Sequence, residues 1–156
     1  LSSSSPDAAA CGALRASVLV LAPLLARCGE ARVPLPGGCD IGARPVDLHR
    51  AALEALGART WLERGCLCAS GRLSGSRVDL RFPSVGATEC ALLAAATARG
   101  TTEVVGAARE PEVADLAALL VAMGARITGA GTSRVVVEGV EGLRAPREAF
   151  PVIPDR

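Results

Sequence analysis

The residue type best suited to chemistry is a cysteine in a glycine-rich loop. Residues 36–45 read Pro-Gly-Gly-Cys-Asp-Ile-Gly-Ala-Arg-Pro, a composition that predicts an exposed loop because three glycines between two prolines cannot pack a core. Cys39 lies in this loop beside Asp40, ahead of Arg44 and of a helix that we predict to begin near Val46. A guanidinium and a helix N-terminus stabilise a thiolate, whereas the Asp40 carboxylate opposes it. Cys39 is therefore either a reactive thiol or an exposed cysteine without a role.

A second candidate is the strand-to-helix junction at residues 84–88, which read Ser-Val-Gly-Ala-Thr. Backbone N–H groups at such a junction can bind phosphate, and a simple hydroxyl cap of the helix is the alternative. Arg15, Arg44 and Arg109 lie in loops or where elements begin; each could bind a carboxylate or phosphate with two hydrogen bonds, or be solvated. His49 follows on the predicted helix and could contact a ligand or lie on the surface.

The other five cysteines indicate neither a metal site nor a disulfide framework. Cys28 and Cys90 lie in apolar helical stretches and are expected to be small buried hydrophobes, while Cys11 lies in the entry segment. Cys66 and Cys68 share one face of a predicted strand, but the chain has a single histidine and no second cysteine pair. An apolar chain of this size does not need disulfides. We therefore expect no metal and no cofactor held by these residues.

The elements that must position the candidates repeat along the chain. An apolar helix ending in Ala-Arg and Gly, followed by a short strand, occurs at residues 16–33 and again at 87–104. A second helix ending in Leu-x-Ala-x-Gly-Ala-Arg occurs at 53–59 and 120–126. Two copies of a unit of about 70 residues predict an α/β (α+β) domain built by pseudo-symmetric repetition.

Each copy is expected to close with a hairpin. In the first copy we predict strands at 66–73 and 77–82 joined by a turn at 74–76, and in the second copy a strand at 134–140. Residues 1–12 contain four consecutive serines and no apolar period, so they are predicted to be a ragged or disordered segment. Order should begin near Ala13.

Composition limits the classes of partner. Half of the 156 residues are hydrophobic, which excludes disorder, and 17 basic against 16 acidic residues leave a net charge of +1, so nothing favours nucleic acid or a membrane surface. The longest apolar run, residues 18–26, is far shorter than the ~18–20 residues of a membrane-spanning helix. The chain begins at Leu1 without a signal-peptide cleavage site after that run. We expect this chain to be part of a cytoplasmic protein with a small-molecule site.

Six motifs in register resemble the UDP-N-acetylglucosamine enolpyruvyl transferases, the MurA branch of the enolpyruvyl transferase family. The similarity extends from about residue 13 to the end of the chain. Besides the loop at 36–49, the motifs are Leu14-Arg15-Ala16-Ser17, Phe82 to Glu89, Ala107 to Glu112, Met123-Gly124-Ala125 with Gly129 to Thr132, and Val152 to Arg156.

The resemblance implies an inside-out α/β barrel, with three repeated units in each of two domains. Residues 13–154 would be two units of the catalytic domain that carries the cysteine loop, and 155–156 would begin the crossover to a second domain that lies outside this chain. The implied reaction transfers the enolpyruvyl group of phosphoenolpyruvate to the 3-hydroxyl of UDP-N-acetylglucosamine and releases phosphate, without metal or organic cofactor. This part of the protein alone is expected to be inactive.

The resemblance also implies roles for individual residues. Cys39 matches the cysteine that adds to phosphoenolpyruvate, acts as general acid toward its methylene carbon and is alkylated by fosfomycin. Arg15 and Arg44 match the arginines that hold its phosphate and carboxylate. Two further segments match contacts of the nucleotide sugar, at the uridine and near the diphosphate respectively: Pro45, Val46, Asp47 and Leu48, and Ser84, Val85 and Gly86.

Two other functions stay open. The shikimate-pathway relative, 5-enolpyruvylshikimate-3-phosphate synthase, shares fold and reaction but lacks the loop cysteine, so Gly38-Cys39 and residues 44–47 argue against it. A non-catalytic module that retains only the nucleotide-sugar surface is the alternative outside the enzymes.

Overall fold

The computed structural model describes residues 4–35 and 46–154, with the backbone alone at Ala13 and Arg15. Five α-helices, one 3₁₀ helix and seven strands occupy these residues. In chain order they are α1 (Ala8–Ala13), the 3₁₀ helix (Arg15–Val20), α2 (Leu21–Cys28), β1 (Glu30–Pro34), α3 (Asp47–Ala55), β2 (Arg59–Glu63), β3 (Cys66–Ser70), β4 (Arg77–Asp79), α4 (Val85–Ala95), β5 (Thr101–Val105), α5 (Pro111–Ala122), β6 (Arg126–Thr128) and β7 (Arg134–Glu138).

The strands form two sheets with matching order. The first has the order β1-β3-β2 and is antiparallel throughout. In the second, β5-β7-β6 repeats that arrangement, and β4 adds a parallel strand beside β5. The repeat extends to single hydrogen bonds: Gly71 N–H donates to Gly29 O at 2.9 Å, and Gly139 N–H donates to Gly100 O at 2.9 Å. The predicted two-fold repetition is therefore confirmed.

Helices occupy the centre and sheets the outside. α4 packs against α2, α3 and α5, and most of its residues are buried because they are small or apolar on every side. The inward faces of the sheets meet these helices with buried valine, leucine and alanine residues, namely Val33, Leu67, Ala69, Val104, Val135 and Val137. This is the inside-out arrangement that the family resemblance implied.

The helix ends follow the sequence signals. Gly29 ends α2 in a left-handed conformation, with φ of 76°. The second helix ends with an equivalent hydrogen bond in each repeat. Ala58 N–H donates to Leu53 O at 3.0 Å in the first repeat, and Ala125 N–H donates to Leu120 O at 2.9 Å in the second. No described helix has the length and apolar character needed to cross a membrane.

The predicted hairpin between residues 66–73 and 77–82 is wrong. β3 instead pairs with β2 and β1, while β4 crosses to the other sheet. The hairpin turn lies at Arg64-Gly65, where both residues have positive φ (48° and 73°), as a two-residue hairpin loop requires. The stretch 74–76 is the chain connection from the first sheet to the second. Within it Gly75 N–H donates to Arg99 O, just before β5, at 2.6 Å.

The prediction of a ragged segment up to residue 12 is also wrong for the residues of that segment that the structure describes, from Ser4 onward. Asp7 caps α1 by accepting a hydrogen bond from Ala10 N–H at 2.9 Å, and the alanine-rich sequence that follows favours a helix. Cys11 is buried at 4% exposure. Ser4 O accepts from Arg32 N–H at 3.0 Å, as Ser76 O accepts from Glu103 N–H in the second repeat. The entry segment therefore takes the place that the approach to β4 has in the second unit.

Candidate functional site

Two helix N-termini form the core of the candidate site. α3 begins at Asp47 and α4 at Val85. Ser84 is the N-cap of α4, with extended backbone and a hydroxyl oxygen that accepts from Ala87 N–H at 3.4 Å, so the predicted hydroxyl cap is confirmed. Unpaired N–H groups and the helix dipole make each start favourable for an anion.

The two helix starts contact each other. A β-carbon on Gly86 would lie 2.9 Å from Nε2 of His49. The imidazole of His49 on α3 therefore fits against α4 because residue 86 has no side chain. Arg81, just before α4, forms an ion pair with Asp47 in the first turn of α3. The structure therefore brings together the two segments that the sequence placed 38 residues apart (Asp47 to Val85).

Thr88 connects this pair of helices to a third. Its hydroxyl donates to Ser84 O at 2.8 Å and accepts from Ala108 N–H at 3.0 Å. Thr88 and Ala108 are fully buried. Ala108 lies three residues before the start of α5 at Pro111, and the exposed Arg109 follows it. The sequence indicated for Thr88 only a place in the cap of its own helix, because nothing local to residues 84–88 identifies Ala108 as a partner.

His49 is the polar group least well satisfied in the site. Its side chain is half-buried between the two helices, and its Nδ1 has no hydrogen-bond partner within the described residues. Burial lowers the pKa of His49 below its usual 6.5, and the nearby Asp47 carboxylate opposes that shift. His49 is therefore not an ordinary surface histidine. It packs between α3 and α4 and lies close to the N-termini of both helices.

The surroundings of one carboxyl group on α4 also shift its pKa. Glu89 is half-buried, and burial together with the Glu112 carboxylate on α5 raises its pKa. Glu89 lies one turn into α4 and Glu112 in the first turn of α5, so two acidic groups influence each other between these helices. Arg81, which pairs with Asp47, and Arg109 are both exposed.

The predicted site residues divide into two groups. Val46, Asp47 and Leu48 and, across the contact, Ser84, Val85 and Gly86 form one continuous region. Within it Leu48 is buried at 5% exposure, so its side chain supports the segment from the core. Cys39, Arg44 and Pro45 lie outside the described residues, as does the side chain of Arg15, whose backbone begins the 3₁₀ helix.

The remaining cysteines differ in part from expectation. Cys90 is fully buried, and burial raises its pKa to about 12, which fits its predicted role as a small hydrophobe. Cys28 is exposed, so the expectation that it is buried is wrong. It is the last residue of α2, next to the C-cap Gly29. In the described parts of the chain, no three potential ligand side chains are grouped so as to hold a metal ion.

Comparison with known proteins decides the family. The model of the EPSP synthase (3-phosphoshikimate 1-carboxyvinyltransferase) family matches residues 2–156. The chain belongs to this family. It thereby belongs to the enolpyruvyl transferases that the sequence motifs resembled.

Curated relatives in this family are highly similar. The chain is 63% identical over 145 residues to UDP-N-acetylglucosamine 1-carboxyvinyltransferase 2 of Mesorhizobium japonicum and 59% identical to UDP-N-acetylglucosamine 1-carboxyvinyltransferase of Gluconacetobacter diazotrophicus. Each alignment covers 92% of this chain and 34% of the relative. The chain spans about a third of the length of these enolpyruvyl transferases.

Solved structures agree on the fold. The enolpyruvyl transferase NikO from Streptomyces tendae matches with a TM-score of 0.75 and 26% identity, covering 92% of this chain and 34% of that one. An EPSP synthase from Acinetobacter baumannii matches with a TM-score of 0.65 and 23% identity, over 84% of this chain and 30% of the other. The enolpyruvyl transferase fold is therefore shared by relatives of low sequence identity.

Proposed function

We propose that this chain is the part of a UDP-N-acetylglucosamine enolpyruvyl transferase that carries the reactive cysteine and half of the nucleotide-sugar site. The whole protein would transfer the enolpyruvyl group of phosphoenolpyruvate to the sugar 3-hydroxyl, release phosphate and so begin peptidoglycan synthesis in the cytoplasm. Through the cell wall the activity would bear on cell shape, cell cycle and cell division. Relatives of that name at 59–63% identity support the choice of substrate.

The observation that carries the proposal is the contact between the starts of α3 and α4. A nucleotide sugar presents a diphosphate flanked by a uridine and a hexose, and a helix N-terminus offers backbone N–H donors to such an anion. In the proposal Ser84, Val85 and Gly86 lie against the diphosphate. Val46 and Asp47 face the uridine, with Leu48 beneath them and Pro45 before them.

The chemistry needs one proton donor and two cation contacts. In the proposal Arg15 and Arg44 hold the phosphate and carboxylate of phosphoenolpyruvate with paired hydrogen bonds. The sugar 3-hydroxyl oxygen then bonds to C2 while the Cys39 thiol gives a proton to C3. In the second stage the Cys39 thiolate takes a proton back from C3, the double bond re-forms and the C2–O bond breaks, so that phosphate leaves. The same thiol would be the group that fosfomycin alkylates.

The remaining partners follow from the length of the relatives. Because those relatives are about three times as long as this chain, we propose that a second domain closes over the α3–α4 surface and supplies the base that removes the sugar hydroxyl proton. Phosphoenolpyruvate and UDP-N-acetylglucosamine are the only small-molecule partners proposed, with no nucleic acid and no membrane.

Calorimetric titration tests the substrate choice. The chain is titrated with UDP-N-acetylglucosamine and, separately, with shikimate 3-phosphate, and the same titrations are repeated on Ser84→Ala. Heat of binding with the nucleotide sugar alone, weakened in Ser84→Ala, supports the proposal. Binding of shikimate 3-phosphate alone would instead favour the shikimate-pathway relative.

A further inference from the structure

In the described residues no strand pairs with the outer edge of β2, and two large apolar side chains lie along it. This strand is the last of the β1-β3-β2 sheet. Trp61 is 38% exposed and Leu62 is 54% exposed, and successive strand residues point to opposite faces. A free edge with large apolar groups on both faces is a template for pairing with another strand.

The second repeat also ends its sheet in an edge strand, but there the corresponding arginine has a carboxylate partner. β6 is the counterpart of β2, and its first residue Arg126 lies opposite Glu138, with which it forms an ion pair at 3.4 Å. In the first repeat Arg59 lies opposite Ser70 instead. Within the part of the chain that the structure describes, Arg59 therefore has no carboxylate partner.

The sequence of β2 is complementary to itself. Read antiparallel to a second copy about Trp61, the segment Arg-Thr-Trp-Leu-Glu sets Arg59 opposite Glu63, and Thr60 opposite Leu62. We propose that β2 pairs with β2 of a second copy of this chain, with the two-fold axis at Trp61. Such an interface uses the same residues on both subunits.

The backbone phase agrees with that register. The two-residue turn at Arg64-Gly65 makes Glu63 and Cys66 a hydrogen-bonded pair, and the alternation along β2 then directs the polar groups of Thr60 and Leu62 to the open edge. Thr60 is 9% exposed, and its carbonyl oxygen accepts from Arg50 Nη2 at 3.5 Å, a long contact that the proposed pair would displace. In the proposed pair these groups exchange four hydrogen bonds.

The side chains agree as well. Trp61 with its copy, and Arg59 with Glu63 of the copy, occupy the closely spaced pairs in which side chains meet. Among the described residues Glu63 pairs with Arg32 of its own sheet, at 3.8 Å between two exposed groups, so it is available to Arg59 of the second copy. Five paired residues span only about 17 Å, which corresponds to a weak dimer that forms as concentration rises.

Sedimentation velocity and tryptophan fluorescence test the proposal, because Trp61 is the only tryptophan. With increasing concentration of the 156-residue chain we expect a dimer together with a blue shift of emission. Arg59→Glu or Glu63→Arg each place two like-charged pairs at the interface and should weaken dimerisation roughly tenfold. The exchange Arg59→Glu with Glu63→Arg should restore it.

The controls are Arg147→Glu and Glu141→Arg, which make the same changes of charge at exposed positions in the C-terminal segment after β7 and should leave dimerisation unchanged. Circular dichroism verifies that every variant is folded. A chain that stays monomeric at all concentrations overturns the proposal. So does a dimer that persists in both single variants, or a folded exchange variant that stays monomeric.

Discussion

Nε2 of His49 on α3 lies against Gly86 on α4, where a β-carbon would be only 2.9 Å away. Close contact between these two residues holds the starts of the two helices side by side. The proposed diphosphate contacts and the proposed uridine contacts come from those two starts. The geometry of the proposed nucleotide-sugar surface therefore depends on a glycine.

Gly86→Ala tests that dependence. The added methyl group must displace the His49 ring, so we expect a loss of about 1–3 kcal/mol in the free energy of unfolding, as for overpacking elsewhere. We also expect weaker binding of UDP-N-acetylglucosamine, because the helix starts are pushed apart. Urea denaturation and calorimetric titration measure the two effects.

The double variant Gly86→Ala with His49→Ala supplies the control, since it removes the group that the methyl would meet and should recover most of the lost stability. Gly142→Ala provides a second control, because nothing lies within 4 Å of the methyl that it adds. Wild-type stability and affinity in Gly86→Ala would show that the helix starts do not depend on this contact.

Thr88→Val should be costly although the two side chains have the same shape. The substitution leaves Ala108 N–H buried without its 3.0 Å acceptor, and an unsatisfied buried donor costs roughly 1–3 kcal/mol. Denaturant unfolding measures the loss. Faster amide exchange at Ala108 would locate it.

Thr102→Val is the matched comparison. Thr102 is as buried as Thr88, but its hydroxyl has no hydrogen-bond partner among the described residues. Its replacement by valine should be neutral or stabilising. Equal losses in the two variants would contradict the assignment of Thr88 as the tie between α4 and the segment before α5.

Stability should fall as the pH drops below the ordinary histidine pKa. Burial lowers the pKa of His49 in the folded chain below 6.5, so between the lowered value and 6.5 the unfolded chain binds more protons than the folded one. The free energy of unfolding then rises with pH through that window, and the contribution of His49 is complete above it. Because His49 is the only histidine, its imidazole signals in NMR report the titration directly.

His49→Gln should remove that slope while leaving the acid unfolding caused by carboxyl groups in place. An imidazole in the folded chain that titrates at or above 6.5 would contradict the account of its burial. A slope that persists unchanged in His49→Gln would contradict it equally.

The repeat was predictable because it is written in local signals. An apolar run that ends in Gly needs no tertiary information, and Gly29, Gly57 and Gly124 end their helices as expected. The position of the hairpin was not predictable from such signals. Its turn contains Arg64, an unusual residue at positive φ, whereas Ser74-Gly75-Ser76 has ordinary turn composition. Only the hydrogen bond from Gly75 N–H to Arg99 O shows that residues 74–76 form a connection between the sheets and not a hairpin turn.

The candidate site was predictable as two segments but not as one surface. Helix starts at Asp47 and Val85 follow from composition. Their contact follows from His49 fitting against Gly86, which involves two residues far apart in the chain. The partner of Thr88 was hidden for the same reason, since Ala108 offers only a backbone N–H group that any residue type would provide.

Reaction with fosfomycin tests the central claim most directly, namely that the loop of Cys39 and the nucleotide-sugar surface work together. The chain is incubated with fosfomycin in the presence and absence of UDP-N-acetylglucosamine, and any adduct is mapped by mass spectrometry, with Cys39→Ser as control. We predict an adduct on Cys39 alone that forms faster with the nucleotide sugar. No adduct, or equal reaction at all six cysteines with no effect of the nucleotide sugar, would contradict the claim.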